Sequence, residues 1–359
     1  MKLLFFIHAI KGGGAERVAS LLANRFVDDG YDIVLATNTQ IPFSFDINPS
    51  IKLRNIVEGC PPKDSVINKV KYYFISKSNY RRIAKIEKPD ITISFNVDMN
   101  CDVVLSLLGV KTPIICCEHT NLSRRLTKRT MIRRKLIYPL ASCVTVLTHY
   151  DYKKFRTKMK SLVRMPNPCI TEDFKEQERN NVVLAAGRIN QWKIKGFDLL
   201  ISSWSQLCNQ HPDWKLCIAG SSDDENMASL QSIIDKNGAK NIEFLGFRND
   251  LDKLMQSSKV FCLSSRTEGL PMVLIEAMQY GCCCVAFDCM TGPREIIKDG
   301  VSGLLAKDKD VESLTQCLGA VMENDEYREK LANNTSQSIN KYSIDAVIRR
   351  WKILFDKLS

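Results

Sequence analysis

Short apolar runs alternate with longer amphipathic stretches through the first half of the chain. A short apolar run bounded by polar or glycine residues predicts a buried strand, and the longer periodic stretches predict helices. The predicted strands are Leu3–Ile7, Asp32–Thr37, Ile51–Val57, Ile91–Phe95, Pro113–Cys117 and Cys143–Leu147. The predicted helices are Ala15–Asp29, Lys69–Lys88, Cys101–Leu108 and Met131–Leu140. This alternation predicts a parallel sheet covered by helices.

The second half repeats the alternation. Its predicted strands are Val182–Ala186, Trp214–Ala219, Ile242–Phe244, Val260–Leu263 and Cys283–Phe287, and its predicted helices are Gly196–Asn209, Asn226–Lys236, Leu251–Gln256, Met272–Tyr280 and Val311–Met322. Between the halves, Met165–Pro168 contains two prolines and precedes the polar stretch Thr171–Asn181, which indicates a linker. We therefore expect two domains, residues 1–168 and 169–341.

Composition agrees with two globular domains. The 359 residues are 45% hydrophobic and 25% charged, so the chain differs from disordered, collagen-like and coiled-coil proteins. The N-terminal apolar run Leu3–Ile7 ends at His8, and we expect neither a signal peptide nor a membrane-spanning helix. The 14 cysteines lack zinc-type spacing, and we expect reduced, buried thiols in a cytoplasmic protein.

The first candidate motif is a glycine-rich turn between the first predicted strand and helix. It contains Gly12, Gly13 and Gly14, followed by Glu16 and Arg17. Glycines let a backbone approach a ligand closely, and the N–H groups of the following helix favour an anion. A plain tight turn is the alternative. A dinucleotide-binding fingerprint fits poorly, because Arg17 stands where that motif needs a small residue.

The second motif is Gly187-Arg188, with Lys195-Gly196-Phe197-Asp198 just beyond it. Two cations at the carboxyl end of a strand, beside a helix N-terminus, are suited to bind a diphosphate. Solvated surface charges are the alternative for such a pair taken alone.

The third motif contains two carboxylates, Glu268 and Glu276, separated by seven residues. Gly269 and Pro271 indicate that Glu268 lies in a loop, and Glu276 is expected about one turn into a helix that begins near Met272. Such carboxylates can accept hydrogen bonds from sugar or ribose hydroxyls. An acid favoured by the helix dipole plus an ordinary helix residue is the alternative.

Together with Gly292-Pro293-Arg294-Glu295-Ile296-Ile297, these motifs resemble the glycosyltransferase family 4 group of the GT-B fold. The resemblance spans nearly the whole chain. It implies an α/β protein with two Rossmann-like domains facing across a cleft, the second holding a nucleotide-sugar donor and the first the acceptor. It also implies transfer with retention of anomeric configuration and without a metal or other cofactor. The C-terminal helix 342–359, with Trp351 and Phe355, is expected to pack back on the first domain.

The resemblance assigns roles residue by residue. Arg188 and Lys195 would neutralise the donor diphosphate and stabilise the leaving nucleotide, Glu276 would bind the ribose, and Glu268 would contact the donor sugar. The remaining donor-binding residues are expected in loops and at helix N-termini: Gly13, Gly14, Phe247, Gly269, Leu270 and Met272. His119, after a buried strand, resembles the histidine that related enzymes place beside the donor sugar. It is counted among the catalytic residues, although not as a general base.

Two departures from the family pattern leave alternatives open. Arg188 and Lys195 are separated by six residues where many relatives have four, so Lys193 competes with Lys195 for the diphosphate. Two Asp-x-Asp triplets, at 250–252 and 308–310, are typical of metal-dependent transferases of another fold. We interpret Asp250 as a helix N-cap and Asp308-Lys309-Asp310 as a polar helix start, and expect no metal site.

Basic charge is concentrated in the first half. Residues 1–168 carry 28 Lys and Arg against 13 Asp and Glu, or +15, whereas residues 169–359 carry 23 against 27, or −4. The densest segment contains Arg124, Arg125, Lys128, Arg129, Arg133, Arg134 and Lys135, interleaved with apolar residues. It is suited to an anionic membrane surface or to a lipid-linked acceptor; a solvated helix face is the alternative. Without accompanying stacking aromatics, nucleic acid is not an expected partner.

These interpretations predict a peripheral enzyme on the cytoplasmic face of the membrane. It would move a hexose or N-acetylhexosamine from a nucleotide diphosphate sugar, UDP before others, to a polyprenyl-diphosphate-linked saccharide in capsule, O-antigen or exopolysaccharide synthesis. A transferase that uses GDP-mannose on a soluble acceptor is one alternative. A non-catalytic protein that binds sugar nucleotides or a membrane surface is another.

Overall fold

Parallel β-sheets form the centre of each half of the chain. The computed structural model describes residues 1–57, 66–122, 127–159, 161–169 and 178–358. The chain divides into a first unit, Met1–Pro168 with Asp345–Ser359, and a second unit, Cys169–Ile344. Among the helices of the described ranges, none combines the length and the apolar character that crossing a bilayer requires.

The first unit contains a seven-stranded parallel sheet in the order β3-β2-β1-β4-β5-β6-β7. Its strands are β1 (Lys2–Phe6), β2 (Asp32–Thr37), β3 (Lys52–Asn55), β4 (Ile91–Phe95), β5 (Ile114–Cys117), β6 (Cys143–Val146) and β7 (Leu162–Arg164). The helices are α1 (Gly14–Asp28), α2 (Val66–Glu87), α3 (Val97–Ser106), α4 (Lys128–Ile137) and α5 (His149–Phe155). Every residue of β4 is buried, because helices cover both faces of such a sheet, and central strands are therefore continuous apolar runs in the sequence.

The second unit contains a six-stranded parallel sheet in the order β10-β9-β8-β11-β12-β13. Its strands are β8 (Asn180–Ala186), β9 (Lys215–Ala219), β10 (Ile242–Gly246), β11 (Ser258–Leu263), β12 (Cys283–Phe287) and β13 (Leu304–Ala306). The helices are α6 (Trp192–Lys195), α7 (Phe197–Leu207), α8 (Asp224–Asn237), α9 (Leu251–Ser257), α10 (Met272–Gln279), α11 (Pro293–Ile296), α12 (Val311–Glu323), α13 (Asp325–Asn333) and α14 (Thr335–Ile339). The cysteines of the described residues form no disulfide, and all but Cys317 are buried.

Both sheets reverse their strand order at one point. In the first sheet the chain builds outward from β1 in one direction and then from β4 in the other, and in the second sheet β8 and β11 have the same relation. In open sheets of this kind ligands bind outside the carboxyl ends of the strands at this switch point. The topology therefore predicts that ligands bind at the loops after β1, β4, β8 and β11.

The C-terminal helix α15 (Ile344–Asp356) packs against α1 and the turn that follows it. The ring of Phe355 lies 5.3 Å from that of Phe26 and 6.1 Å from that of Tyr31. Lys352 lies 2.9 Å from the carboxylate of Asp29. The apolar face of α15 is thus buried within the first unit.

The sequence pattern missed several short elements. The edge strands β7 and β13 each have only three residues, too few to show an alternating or continuous apolar pattern. Helices α5, α6, α11, α13 and α14 were also not predicted. Helix α3 begins at Val97, four residues before the predicted start at Cys101. In its first turn Met99 and the polar Asn100 are buried, whereas Asp98 is exposed.

Candidate active site

The loop after β8 carries Gly187 and Arg188. Gly187 donates its backbone N–H to Ala219 O at 2.9 Å, and Ile189 donates to Ser221 O at 3.0 Å. The backbone on both sides of Arg188 is therefore fixed against the loop that follows β9. The Arg188 side chain is exposed at the carboxyl edge of the sheet, where a cation can reach a ligand at the switch point.

The turn between α6 and α7 carries Lys195 and depends on a glycine. Gly196 has φ +67°, and a Cβ atom there would lie 1.9 Å from Ser264 O. No larger residue fits without moving the backbone, so this turn packs directly on the end of β11. Gly187 lies close to the lysine stem, because a Cβ on Gly187 would lie 3.2 Å from Lys195 Cδ and Cε.

Lys195 and Glu268 form an ion pair, with Nζ 2.8 Å from Oε1. Both side chains are largely buried, with exposed fractions of 21% and 12%. The pair joins the loop after β8 to the loop after β11. Lys193 is exposed, and its Nζ lies 5.0 Å from the centre of the Trp192 ring. The geometry thus pairs Lys195, and not Lys193, with the candidate catalytic acid.

A second loop supports the backbone of Glu268. The Thr291 hydroxyl donates to Glu268 O at 2.5 Å. Gly292 has φ +98°, and a Cβ there would lie 2.7 Å from Pro271 Cδ and 2.8 Å from Gly269 O. The glycine of the Gly292–Ile297 motif is therefore required for the loop after β12 to pack against the Glu268 loop.

Helix α10 begins at Met272, with Pro271 as its N-cap. Leu270 is buried, Gly269 is partly buried, and Glu276 is buried in the second turn of the helix. Glu268 therefore lies in the loop and Glu276 lies deeper, as the spacing predicts. Their roles toward a sugar and a ribose stay predictions.

Phe247 follows β10 at the edge of the second sheet. Its side chain is 65% exposed, and Gly246 O accepts a hydrogen bond of 2.8 Å from the Gly220 N–H. An exposed aromatic ring at the carboxyl edge of a sheet can stack on a nucleotide base. This contact stays a prediction.

In the first unit, the glycine-rich turn joins β1 to α1. Gly12 has φ +55°, Gly13 is the N-cap, and Gly14 is the first residue of the helix. Cβ atoms at Gly12 and Gly14 would meet nothing within 4 Å. The turn therefore leaves open space in front of the helix N-terminus, as anion binding would need, although neither glycine there is required for packing.

His119 lies two residues after β5, at the carboxyl edge of the first sheet. Its two ring nitrogens are buried, and the ring stacks on Phe95 with centroids 5.5 Å apart. Burial lowers the pKa of His119 to about 4, and the neighbouring side chain of Asn167 opposes this in part. His119 is therefore neutral near pH 7, and its role beside a donor sugar stays a prediction.

The basic segment is only partly a surface feature. Arg134 is buried, and its guanidinium lies 3.0 Å from the buried Glu118 and donates to Leu122 O. Arg133 is bound to α3 through Asp98 at 3.2 Å and Asp102 at 2.5 Å. The assignment of Arg134 to an acceptor or membrane surface is therefore wrong, because its side chain is buried, and that of the partly exposed Arg133 stays a prediction. The helix presents these two side chains to the protein, because they lie beside Ile137 on its inner face.

The other cations of that segment divide into two groups. Lys128, Arg129 and Lys135 are exposed on α4, together with Met131, Ile132 and Leu136. Arg124 and Arg125 lie outside the described residues. For the exposed residues, the assignment to an acceptor or membrane surface stays a prediction.

The Asp-x-Asp triplets have structural partners. Asp250 is the N-cap of α9 but makes no capping bond, because its carboxylate accepts two hydrogen bonds from Arg248. Asp310 caps α12 by accepting from the Ser313 N–H. The described part of the chain contains no cluster of three or more His, Cys, Asp or Glu side chains arranged for a metal ion.

One cluster near the site was not recognised in the sequence. Arg266 forms a two-bond ion pair with Asp198, at 2.6 and 2.7 Å. Asp198 belongs to the quoted Lys195–Asp198 motif, and Arg266 lies two residues before Glu268. Their positions in or beside two recognised motifs could have marked Arg266 and Asp198 as candidates. That they form a pair follows only from the fold.

Sequence models of two families match the chain. The model described as glycosyltransferase family 4 matches residues 12–171, and the model described as glycosyl transferases group 1 matches residues 169–338. The chain is also 31% identical to the amylovoran biosynthesis glycosyltransferase AmsD of Erwinia amylovora, with 98% of each chain covered. The chain belongs to glycosyltransferase family 4.

Two further comparisons extend this result. The glycosyltransferase is 28% identical to an α-1,4-N-acetyl-D-galactosaminyltransferase of Campylobacter jejuni, covering 98% of this chain and 97% of the relative, whose name specifies an undecaprenol-diphosphate-linked acceptor. The structure of the present chain matches that of Anabaena HepE, which was solved in complex with UDP. The TM-score is 0.82, the sequence identity is 18%, and both chains are covered fully. The predicted α/β fold with two Rossmann-like domains of the GT-B type is confirmed.

Proposed function

We propose that this glycosyltransferase moves a hexose or N-acetylhexosamine from a nucleotide diphosphate sugar to a saccharide carried on a polyprenyl diphosphate. The product would enter a capsule, an O-antigen or an exopolysaccharide. The main structural support for donor binding in this proposal is the Lys195–Glu268 ion pair at the carboxyl edge of the second sheet. In this proposal the Lys195 ammonium binds the diphosphate and the neighbouring Glu268 carboxylate binds the sugar.

The identity of the substrates is supported by relatives. Two Campylobacter jejuni relatives that align with more than 90% of the chain are named for acceptors on undecaprenol diphosphate. The structure of HepE was solved with UDP. UDP is therefore the proposed carrier of the donor sugar.

We propose that transfer retains the anomeric configuration and needs no metal. The bond from the sugar C1 to the diphosphate oxygen breaks through an oxocarbenium-like ion pair, and the acceptor oxygen bonds to C1 on the same face. The departing phosphate oxygen takes the proton of the acceptor hydroxyl. Lys195 and Arg188 stabilise the charge that develops on the diphosphate, and Glu268 accepts hydrogen bonds from the sugar hydroxyls.

The first test is transfer from a panel of UDP- and GDP-sugars to undecaprenyl-diphosphate-linked saccharides, with and without EDTA. We expect turnover with a UDP-sugar, unchanged by EDTA, and an α-linked product from an α-linked donor by NMR. Lys195→Ala and Glu268→Gln are expected to lower kcat/KM by about 100-fold or more. Lys193→Ala is the matched control and should change it less than threefold.

Other outcomes would contradict parts of the proposal. Loss of turnover in EDTA that returns with a divalent cation would contradict metal independence. Transfer from GDP-mannose to free sugars, with none to lipid-linked acceptors, would favour the soluble-acceptor alternative. If no donor is consumed with any acceptor, the proposed reaction is wrong.

We also propose that the exposed face of α4 contacts an anionic membrane. Ile132 and Leu136 are 58% and 66% exposed and lie four residues apart, so they share one face of the helix. The exposed cations Lys128, Arg129 and Lys135 flank them. Apolar side chains between cations suit the boundary between headgroups and acyl chains.

Sedimentation with lipid vesicles tests this surface. The protein should sediment with vesicles that contain phosphatidylglycerol, and less with phosphatidylcholine alone. Replacement of Lys128 and Arg129 by Glu together with Ile132→Ser should abolish sedimentation. The matched control is Lys215→Glu with Lys236→Glu on the second unit, and equal loss in this control would contradict a specific role for α4.

A further inference from the structure

Arg266 binds the turn that carries Lys195 through both its backbone and its side chain. Its N–H donates to Ile194 O at 2.9 Å. Its guanidinium donates to both carboxylate oxygens of Asp198, at 2.6 and 2.7 Å, and also to Lys193 O. These bonds hold the backbone on both sides of Lys195.

Ser264 adds a further bond to the same turn. Its hydroxyl donates to Lys195 O at 2.9 Å, and its own carbonyl oxygen lies against Gly196. Ser264, Arg266 and Glu268 thus alternate along one segment after β11, and all three contact the segment 193–198. The first two hold its backbone, and the third pairs with the Lys195 ammonium.

We propose that Arg266 is a positioning residue that fixes Lys195 relative to Glu268. This inference rests on the proposed function, in which Lys195 binds the donor diphosphate. A planar guanidinium binds a carboxylate through two parallel hydrogen bonds in one orientation, which a lysine ammonium does not do. Arg266 therefore sets the direction in which the turn presents the Lys195 side chain before any donor binds.

The position of the turn matters because of how catalysis depends on distance. A displacement of about 1 Å of a group that binds the reacting part of a substrate can lower a rate by about 100-fold. Without the guanidinium, Asp198 and Lys193 O lose their donor, and the turn is held mainly through backbone contacts. Lys195 then keeps its charge but loses its fixed position.

A double-mutant cycle on UDP affinity tests the inference. Isothermal titration is carried out on the full chain with wild type, Arg266→Ala, Lys195→Ala and the double variant. We expect Arg266→Ala to weaken UDP binding by about tenfold, and to have less than a twofold effect when Lys195 is already Ala. Because Arg266→Lys keeps the charge without the two-pronged geometry, it should recover only part of the affinity.

Arg328→Ala is the control for loss of stability alone. Arg328 is 4% exposed and also binds one backbone carbonyl, Val321 O at 2.8 Å, and one aspartate, Asp325. We expect Arg328→Ala to lower the stability of the second unit and leave the UDP affinity of the folded protein unchanged. An equal loss of affinity in Arg328→Ala would mean that Arg266 acts only on stability, and would overturn the proposal.

The remaining outcomes separate this inference from the proposed function. If Lys195→Ala weakens UDP binding and Arg266→Ala does not, the inference is wrong and the proposed function stands. If Arg266→Ala weakens binding equally with and without Lys195, Arg266 contacts the donor itself and does not act through Lys195. If Lys195→Ala leaves UDP affinity unchanged, the proposed role of Lys195 fails and the inference fails with it.

Discussion

The buried imidazole of His119 makes the stability of the first unit depend on pH. The ring stacks on Phe95, its two nitrogens are buried, and burial lowers its pKa from 6.5 to about 4. In the unfolded chain the imidazole regains its ordinary pKa. Between these two values the unfolded state binds a proton that the folded state does not, so acid favours unfolding.

The magnitude follows from the size of the pKa shift. One pKa unit corresponds to about 1.4 kcal/mol, so the full difference is about 3 kcal/mol. Above pH 7 the imidazole is neutral in both states, so its titration does not change the free energy of unfolding. As the pH falls through 6.5 toward 4, stability is lost, and by pH 5 the loss amounts to about 2 kcal/mol.

Two measurements check this prediction. The chain has four histidines, so an NMR titration of labelled histidines gives few signals, and the one that disappears in His119→Gln is assigned. That signal should not titrate between pH 5.5 and 8. Urea unfolding at pH 7.5 and at pH 5 should then show that wild type loses about 2 kcal/mol more than His119→Gln.

His119→Phe provides a matched control, since it keeps a ring against Phe95 but cannot titrate. Its stability should have the same reduced pH dependence as that of His119→Gln, whatever its absolute value. A His119 signal that titrates near pH 6.5, or a pH dependence of unfolding that is identical in wild type and both variants, would refute the reasoning.

Three further predictions concern stability, each checked by urea unfolding. Burial raises the pKa of Glu87, but the hydrogen bonds that it accepts from Lys2, Lys52 and Arg54 outweigh burial and lower the pKa to about 2. Glu87→Gln should therefore cost about 2 kcal/mol of stability at pH 7, and this cost should shrink as the pH falls from about 5 toward 2. A cost that does not change with pH would contradict this. Gly196→Ala should cost about 3 kcal/mol or more, because its Cβ would meet Ser264 O, and wild-type stability would contradict the close approach. Arg134→Ala should lower the free energy of unfolding by about 3 kcal/mol, because it removes the cation beside the buried Glu118. Lys128→Ala should lower it by less than about 0.5 kcal/mol. Equal costs would mean that Arg134 is not part of the core.

Strands buried on both faces are the most readily predicted from the sequence, although the more exposed edge strands β3 and β10 were predicted as well. β4 and β12 consist entirely of buried residues, so burial alone makes them apolar runs that stand out between polar loops. The strands that were missed, β7 and β13, lie at sheet edges and have one neighbouring strand each. A short edge strand depends on its partner for pairing, and its own composition carries little signal.

In the candidate site, too, features that depend on nearby residues could be predicted, and those that depend on the fold could not. The glycines and the Glu268–Glu276 spacing indicated which loops carry chemistry, because turns and helix starts constrain residues that are close in sequence. The sequence could not decide between Lys193 and Lys195, since both belong to one short helix. In the structure Lys195 pairs with Glu268 and Lys193 is exposed, and which of them binds a diphosphate stays a prediction. Arg133 and Arg134 look like membrane-facing cations in sequence, yet they face acidic residues that are 16 to 35 positions away along the chain.

The sequence by itself determined the alternation of strands and helices, the break between the halves and the family motifs, because these depend on local periodicity and on residues close along the chain. Tertiary structure alone decided which charges are partners. An ion pair such as Lys195–Glu268 or Arg266–Asp198 joins residues 73 or 68 positions apart, and they meet because β8 and β11 are neighbours in the sheet. Strand order is a property of the whole folded unit, so the positions of its charges are too.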